Sequence, residues 1–172
     1  MLDRVKQLIL DVPDFPKAGI VFKDITPLLG DAAAFGWVID HLADRYKDAG
    51  LDAVVGMESR GFLFGTPLSI KLGLGFIPVR KPGKLPRAVH EVTYELEYGT
   101  DSLQIHKDAL SPGQKVLIMD DVLATGGTAA ATASLVRKTG SHIHELAFLM
   151  ELAFLDGKSR LSGDSAFAIL SY

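Results

Sequence analysis

The chain has 172 residues, enough for one domain with a full hydrophobic core. It is 48% hydrophobic and 23% charged, with a formal net charge of −3 and no cysteine. That balance excludes a disordered chain, argues against nucleic acid as a partner, and rules out disulfides, thiolate metal sites and a cysteine nucleophile.

The opening Met-Leu-Asp-Arg-Val-Lys mixes acid and base without an apolar core, so no signal peptide is read there. No apolar run approaches the roughly 20 residues that span a membrane. Leu2, Val5, Leu8 and Ile9 repeat at helical spacing and predict a short first helix, broken by Pro13 and Pro16. Residues 19–25 read as a brief extended piece ending in Thr26-Pro27. Asp31 is placed to cap a second helix, with Phe35, Val38, Ile39, Leu42 and Tyr46 as its buried stripe and Gly50 as its end.

From there apolar strands alternate with helices. Residues 53–55 predict a buried strand, 62–72 a helix closed by Gly73, and 76–79 a further strand. Pro82, Gly83 and Pro86 mark a long loop. Residues 94–98 and 103–105 predict an antiparallel ribbon turned by Gly99 and Asp101. Residues 116–119 predict a buried strand, 129–139 a helix ended by Gly140, 146–149 a strand and 166–170 an edge strand. The alternation predicts an α/β fold, a mostly parallel sheet flanked by helices, with ligands beyond the carboxyl ends of the strands.

The most informative stretch is Asp120-Asp121-Val122-Leu123-Ala124-Thr125-Gly126-Gly127-Thr128. It puts two carboxylates at the end of a buried strand and a Gly/Thr loop before a helix. Backbone N–H groups of such a loop, with about half a positive charge at the helix end, suit the phosphate of a sugar phosphate. Gly126 and Gly127 let the backbone come close, and Thr125 and Thr128 add hydroxyls. The acids accept from sugar hydroxyls or hold a metal.

A second strand-to-helix turn, Gly56-Met57-Glu58-Ser59-Arg60-Gly61-Phe62, places Arg60 and Ser59 beside a helix N-terminus, where anions bind. Charge is also segregated. Residues 71–90 carry Lys71, Arg80, Lys81, Lys84 and Arg87 and no acid, whereas residues 91–101 carry Glu91, Glu95, Glu97 and Asp101 and no base. A basic loop of this kind reads as a lid for a polyanion, with a nearby carboxylate to move a proton. Other chemistry fits poorly. No P-loop, no dinucleotide fingerprint and no nucleophile elbow is present, and His142 and His144 have no evident third metal ligand.

These residues resemble the type I phosphoribosyltransferases, whose phosphate loop follows an acidic pair. Phe15-Pro16, residues 19–25, Glu58-Ser59-Arg60-Gly61-Phe62, residues 80–86, Leu96-Glu97-Tyr98-Gly99 and residues 123–128 resemble, in order, the branch of that family that acts on adenine. The resemblance implies one phosphoribosyltransferase domain over 1–172, with a hood over 1–30 and a lid and ribbon over 81–105. It implies transfer of the 5-phosphoribosyl group from 5-phosphoribosyl-1-diphosphate to adenine, giving AMP and diphosphate, with Mg²⁺, in a cytoplasmic homodimer. By the same resemblance Ala124, Thr125, Gly126, Gly127 and Thr128 take the 5-phosphate, and Asp120 and Asp121 meet the ribose hydroxyls. Glu58, Ser59 and Arg60 hold diphosphate, and Lys81 and Lys84 close over it. Phe22 packs on adenine, backbone groups of Val21 and Lys23 read its edge, Leu152 covers the other side, and Glu97 handles the purine proton. Mg²⁺ would come mainly on the diphosphate and water. A sister transferase acting on another base, or a non-catalytic regulator that senses the sugar diphosphate, stands as the alternative.

Overall fold

The computed structural model describes residues 1–95 and 99–172; Leu96, Tyr98 and the proposed proton-handling residue Glu97 lie outside the described residues. The chain divides into two compact units, Met1–Arg45 and Tyr46–Tyr172. No helix among the described residues is long and apolar enough to cross a membrane.

In the first unit, helix α1 (Leu2–Gln7) leads to a two-stranded antiparallel ribbon, β1 (Leu10–Pro13) and β2 (Val21–Asp24). A short helix α2 (Thr26–Gly30) and a long one, α3 (Ala32–Tyr46), follow. Two of these elements are unexpected. β1 is only four residues and ends in proline, too short to show a period of two. α2 starts at the Thr26-Pro27 step that reads as the end of an extended piece; proline has no N–H to lose in a first turn. Asp31 caps α3 as expected, its Oδ1 accepting from the Ala34 N–H at 3.0 Å. Val38, Ile39, Leu42 and Tyr46 form the buried stripe.

The second unit is built on a five-stranded parallel sheet. Its strands are β3 (Ala53–Met57), β4 (Gly75–Val79), β7 (Lys115–Leu123), β8 (His142–Glu151) and β9 (Ala166–Ser171), in the order β4-β3-β7-β8-β9. Helix α4 (Arg60–Leu72) follows β3, and α5 (Gly127–Lys138) follows β7. Between β4 and β7 the chain forms an antiparallel ribbon of β5 (Val89–Glu95) and β6 (Thr100–His106). The first ribbon strand thus starts five residues earlier than the sequence pattern indicates.

The central strands explain their own composition. β3 is buried throughout, and residues 116–119 of β7 have no exposure. A strand covered on both faces reads as a continuous apolar run. Val55, Met57, Ile118, Leu135, Val136, Leu146 and Phe148 join one core cluster. Pro78 is accommodated because β4 is an edge strand.

β7 runs four residues beyond the predicted 116–119, so Asp120 and Asp121 lie within the last stretch of the strand, at its end as the sequence indicates, and the loop begins after Leu123. Successive strand side chains face opposite ways. Asp121 is accordingly buried, while Asp120 keeps partial exposure. From β3 the chain moves outward to β4, and from β7 it moves outward to β8 on the other side. The carboxyl ends of β3 and β7 therefore bracket a topological switch point, where parallel sheets open a crevice.

Candidate active site

A cavity of about 280 Å³ opens at that switch point. Glu58, Ser59 and Arg60 line it from the β3–α4 turn, and residues 120–129 line it from the β7–α5 turn. The volume lies near the lower end for small-molecule sites, which suits one small polar ligand. The two sequence strings singled out independently thus form two walls of one cavity.

Both helices begin at this cavity without a side-chain cap. The N-cap of α4 is Ser59 and that of α5 is Gly126, and neither position carries a side-chain capping bond. The first N–H groups of a helix have no partner within it, so two uncapped N-termini offer donors and positive potential to an anion. Gly126 adopts φ +82°, a left-handed conformation that glycine takes without strain.

The walls are linked by an ion pair. Arg60 Nε lies 2.9 Å from Asp121 Oδ2. Gly61 makes this possible: a β-carbon there would sit 2.6 Å from the Met119 carbonyl oxygen. The absence of that carbon lets the start of α4 press on the end of β7. Burial raises the pKa of Asp121, opposed by the Arg60 charge. Desolvation of the half-buried Asp120 carboxyl, reinforced by the Asp121 charge, raises its pKa well above the ordinary carboxylate range. Asp120 Oδ1 accepts from the Asp121 N–H at 2.9 Å. The Glu58–Ser59 peptide is cis.

The basic loop returns to the same turn. Lys84 Nζ and Arg80 Nε both pair with the Glu58 carboxylate, the latter at 3.3 Å, and the Lys81 backbone N–H donates to Glu58 Oε2 at 2.8 Å. Burial would raise the pKa of Glu58; Lys84, the Lys81 N–H and Arg80 outweigh it and hold the carboxyl below its usual range. Lys81 Nζ pairs with Asp101 on β6. The Tyr94 hydroxyl lies 3.3 Å from Asp101 Oδ2 and 3.3 Å from Thr128 Oγ1. A polar chain therefore runs from Lys81 through the ribbon to the first turn of α5.

Arg80, Tyr94 and Asp101 were not assigned roles from sequence. Arg80 is set by packing. Phe76 lies where β-carbons on Gly56 and Gly65 would be, at 2.4 and 2.7 Å, and Phe62 stands edge-on to it at 5.6 Å. Arg80 caps that stack 5.9 Å above the Phe62 ring. Its backbone also exchanges two hydrogen bonds with Gln104 of β6, 2.9 and 2.8 Å, anchoring the start of the lid. Its sequence signals are the basic run and the motif over residues 80–86, neither of which specifies its packing.

Leu152 follows β8 directly, and its N–H donates to the Leu123 carbonyl at 2.9 Å. It lines a second, smaller hollow with Leu123, Glu151, Ala153 and Gly157. Val21, Phe22 and Lys23 belong to β2 in the first unit. Phe22 stacks edge-on against Phe15 at 5.2 Å, and Lys23 Nζ pairs with Asp11 at 2.6 Å. Among the described residues no three carboxylates or histidines form a metal-holding group. His144 instead packs edge-on against Tyr46 at 6.1 Å.

An acidic strand end, an uncapped Gly/Thr loop and a basic loop around one crevice of a parallel sheet define a sugar-phosphate transferase architecture. The phosphoribosyl transferase domain family matches residues 29–164, and the chain belongs to that family. Over its full length it is 54% identical to the adenine phosphoribosyltransferase of Roseiflexus sp. (strain RS-1), covering all of both chains. The crystal structure of adenine phosphoribosyltransferase from Thermoanaerobacter pseudethanolicus superposes with a TM-score of 0.97 at 52% identity, again over all of both chains. The Saccharomyces cerevisiae enzyme, complexed with an imino-altritol bisphosphate and adenine, has a TM-score of 0.93 at 43% identity over 98% of each chain.

Proposed function

We propose that this protein transfers the 5-phosphoribosyl group of 5-phosphoribosyl-1-diphosphate to adenine, releasing AMP and diphosphate. The observation that carries the reading is the single cavity walled by Arg60 and by residues 120–129 in a chain of this family. The full-length relatives and solved structures described above are adenine enzymes, so neither another base nor a non-catalytic regulator is favoured.

Chemistry follows from the charges. The purine nitrogen bonds to C1 of the ribose as the bond from C1 to the diphosphate oxygen breaks, and the nitrogen gives up its proton. Glu97 takes that proton in this reading. C1 becomes cation-like before the new bond is complete, so the barrier falls as the leaving diphosphate is neutralised. Arg60 with the uncapped start of α4, and Lys81 and Lys84 from the lid, supply positive charge there. Residues 124–128 hold the 5-phosphate at the start of α5, and Asp120 and Asp121 accept from the ribose hydroxyls. Phe22, Val21, Lys23 and Leu152 bind adenine.

The donor set fits Mg²⁺ carried by the substrate. Asp121 is engaged by Arg60, and Glu58 by Lys84 and Arg80, so the carboxylates here supply no full coordination shell. Bound through diphosphate and water, the ion would neutralise leaving-group charge. We also read residues 1–30 as the hood and 81–105 as the lid and ribbon of a cytoplasmic homodimer, by likeness to the family.

The test is AMP formation by the purified protein from adenine, the sugar diphosphate and Mg²⁺, beside hypoxanthine, guanine and orotate. AMP formation that outpaces every other base is the expected result. No product, or a preference for another base, overturns the assignment.

A further inference from the structure

Gly157 begins a short 3-10 turn, Gly157–Leu161, some thirty residues beyond the phosphate loop in sequence. It is buried. A β-carbon on Gly157 would lie 2.2 Å from the carbonyl oxygen of Ala124 and 3.1 Å from the backbone N of Gly126. Conversely, a β-carbon on Gly126 would lie 2.3 Å from the carbonyl oxygen of Gly157 and 3.2 Å from Cβ of Arg160. Two backbones therefore pass in direct contact, each where the other has no side chain. The opposing atoms at Gly157 are main chain, so no flexible group can swing aside.

The segment that presses on the loop is itself fixed. At its start, Leu152 N–H donates to the Leu123 carbonyl at 2.9 Å and Ala153 N–H to the Tyr172 carbonyl at 2.8 Å. Asp156 is held at φ +48°, a left-handed conformation costly for a residue with a side chain. Its carbonyl takes bonds from the Ser159 N–H at 3.1 Å and the Ser159 hydroxyl at 2.7 Å. Leu161 anchors the far end in the core. Loop N–H groups bind phosphate tightly only if they are already aimed, and a displacement of about 1 Å costs on the order of 100-fold.

We propose that Gly157 is a positioning residue for the phosphate loop: its bare backbone braces Ala124 and Gly126 from behind and sets where the loop N–H groups meet the 5-phosphate. This rests on the reading that residues 124–128 take that phosphate. Gly157 does not occupy the left-handed region, unlike Gly126, so an added methyl group tests space rather than backbone conformation.

The experiment measures binding of ribose 5-phosphate and, separately, of inorganic diphosphate with Mg²⁺, to the parent, Gly157→Ala and Arg160→Gly proteins. Gly157→Ala should bind ribose 5-phosphate at least 10-fold more weakly and raise KM for the sugar diphosphate similarly, with diphosphate affinity within twofold of the parent. Arg160→Gly adds no atoms and so brings no collision; by removing the β-carbon that stands 3.2 Å from where one on Gly126 would lie, it should loosen the packing of the turn on the loop and give the same selective loss, a few-fold in size. A merely structural role would weaken both ligands together or lower only the melting temperature. If the parent binds ribose 5-phosphate and neither variant loses it selectively, the brace is overturned while the function stands. If the parent fails to bind ribose 5-phosphate, the loop assignment falls and the brace with it.

Discussion

Arg60 and Asp121 face each other across the floor of the site, Nε to Oδ2 at 2.9 Å, with the aspartate side chain 3% exposed and the arginine 38% exposed. The pair joins the wall proposed for diphosphate to the wall proposed for ribose. Removing the arginine leaves a buried carboxylate without its cation, a cost of about 1–3 kcal/mol for a pair open on one side. Arg60→Ala should therefore lower the melting temperature and weaken diphosphate binding. Adding Asp121→Asn should restore most of the stability and none of the diphosphate affinity. Calorimetric melting and titration with Mg²⁺-diphosphate separate the two effects. Recovery of both in the double variant would show that Arg60 acts only on the fold.

Glu58 holds the basic loop, the proposed lid, through Lys84, Arg80 and the Lys81 N–H. In the proposed reaction diphosphate competes for these same cations, which the Glu58 carboxylate otherwise engages. Its pKa is lowered, so its contribution is present above the unfolded carboxylate value and is lost as pH falls through the lowered folded value. Glu58→Gln should speed trypsin cleavage after Lys84 or Arg87 several-fold at neutral pH, and diphosphate should protect parent and variant alike. Equal cleavage rates without ligand would dismiss the tether.

Asp120 runs with the opposite sign. Desolvation and the adjacent Asp121 charge raise its pKa, so the folded protein keeps a proton that the unfolded chain releases near pH 3.9. Stability from this group is full below that value and lost as pH rises through the raised folded one. Asp120→Asn removes the neutral-pH penalty. It should melt higher than the parent at pH 7, with the gap closing toward pH 4, while ribose 5-phosphate binds more weakly. An asparagine variant less stable than the parent at pH 7 would contradict a desolvated, raised Asp120 carboxyl.

The parallel sheet and both site turns are legible in the sequence for a physical reason. Strands buried on two faces must be apolar throughout, as residues 53–57 and 116–119 are, and a turn that takes a left-handed conformation against another backbone needs glycine, as Gly126 does. What escapes is whatever depends on partners distant in the chain. β7 continues through Asp120 and Asp121 because its neighbour β8 pairs that far, to Leu123 opposite Glu151, and the apolar run alone does not show it. Asp101 reads as a turn residue and Tyr94 as part of an alternating strand; their contacts with Lys81 and Thr128 exist only once lid, ribbon and α5 meet. Gly157 gives no local signal, since its need for bare backbone comes from Ala124. Glu58 reads as part of a diphosphate turn, yet its carboxylate is occupied by the lid's own bases.

Glu97 is the residue on which the chemical step depends in the proposed mechanism. The purine nitrogen cannot keep its proton once it bonds to C1, and a positioned general base is worth typically 10²–10⁴ in rate. Glu97→Gln keeps the size and hydrogen-bonding reach but cannot take the proton. Turnover should fall by about 100-fold or more, with KM for the sugar diphosphate changed less than threefold, because the phosphate and diphosphate contacts lie on other residues. The acid limb of the pH–kcat profile, set in the parent by protonation of the base, should flatten in the variant. Parent and variant with equal turnover and the same acid limb would remove Glu97 from the proton transfer. A variant that loses sugar-diphosphate affinity at unchanged turnover would assign it to binding instead.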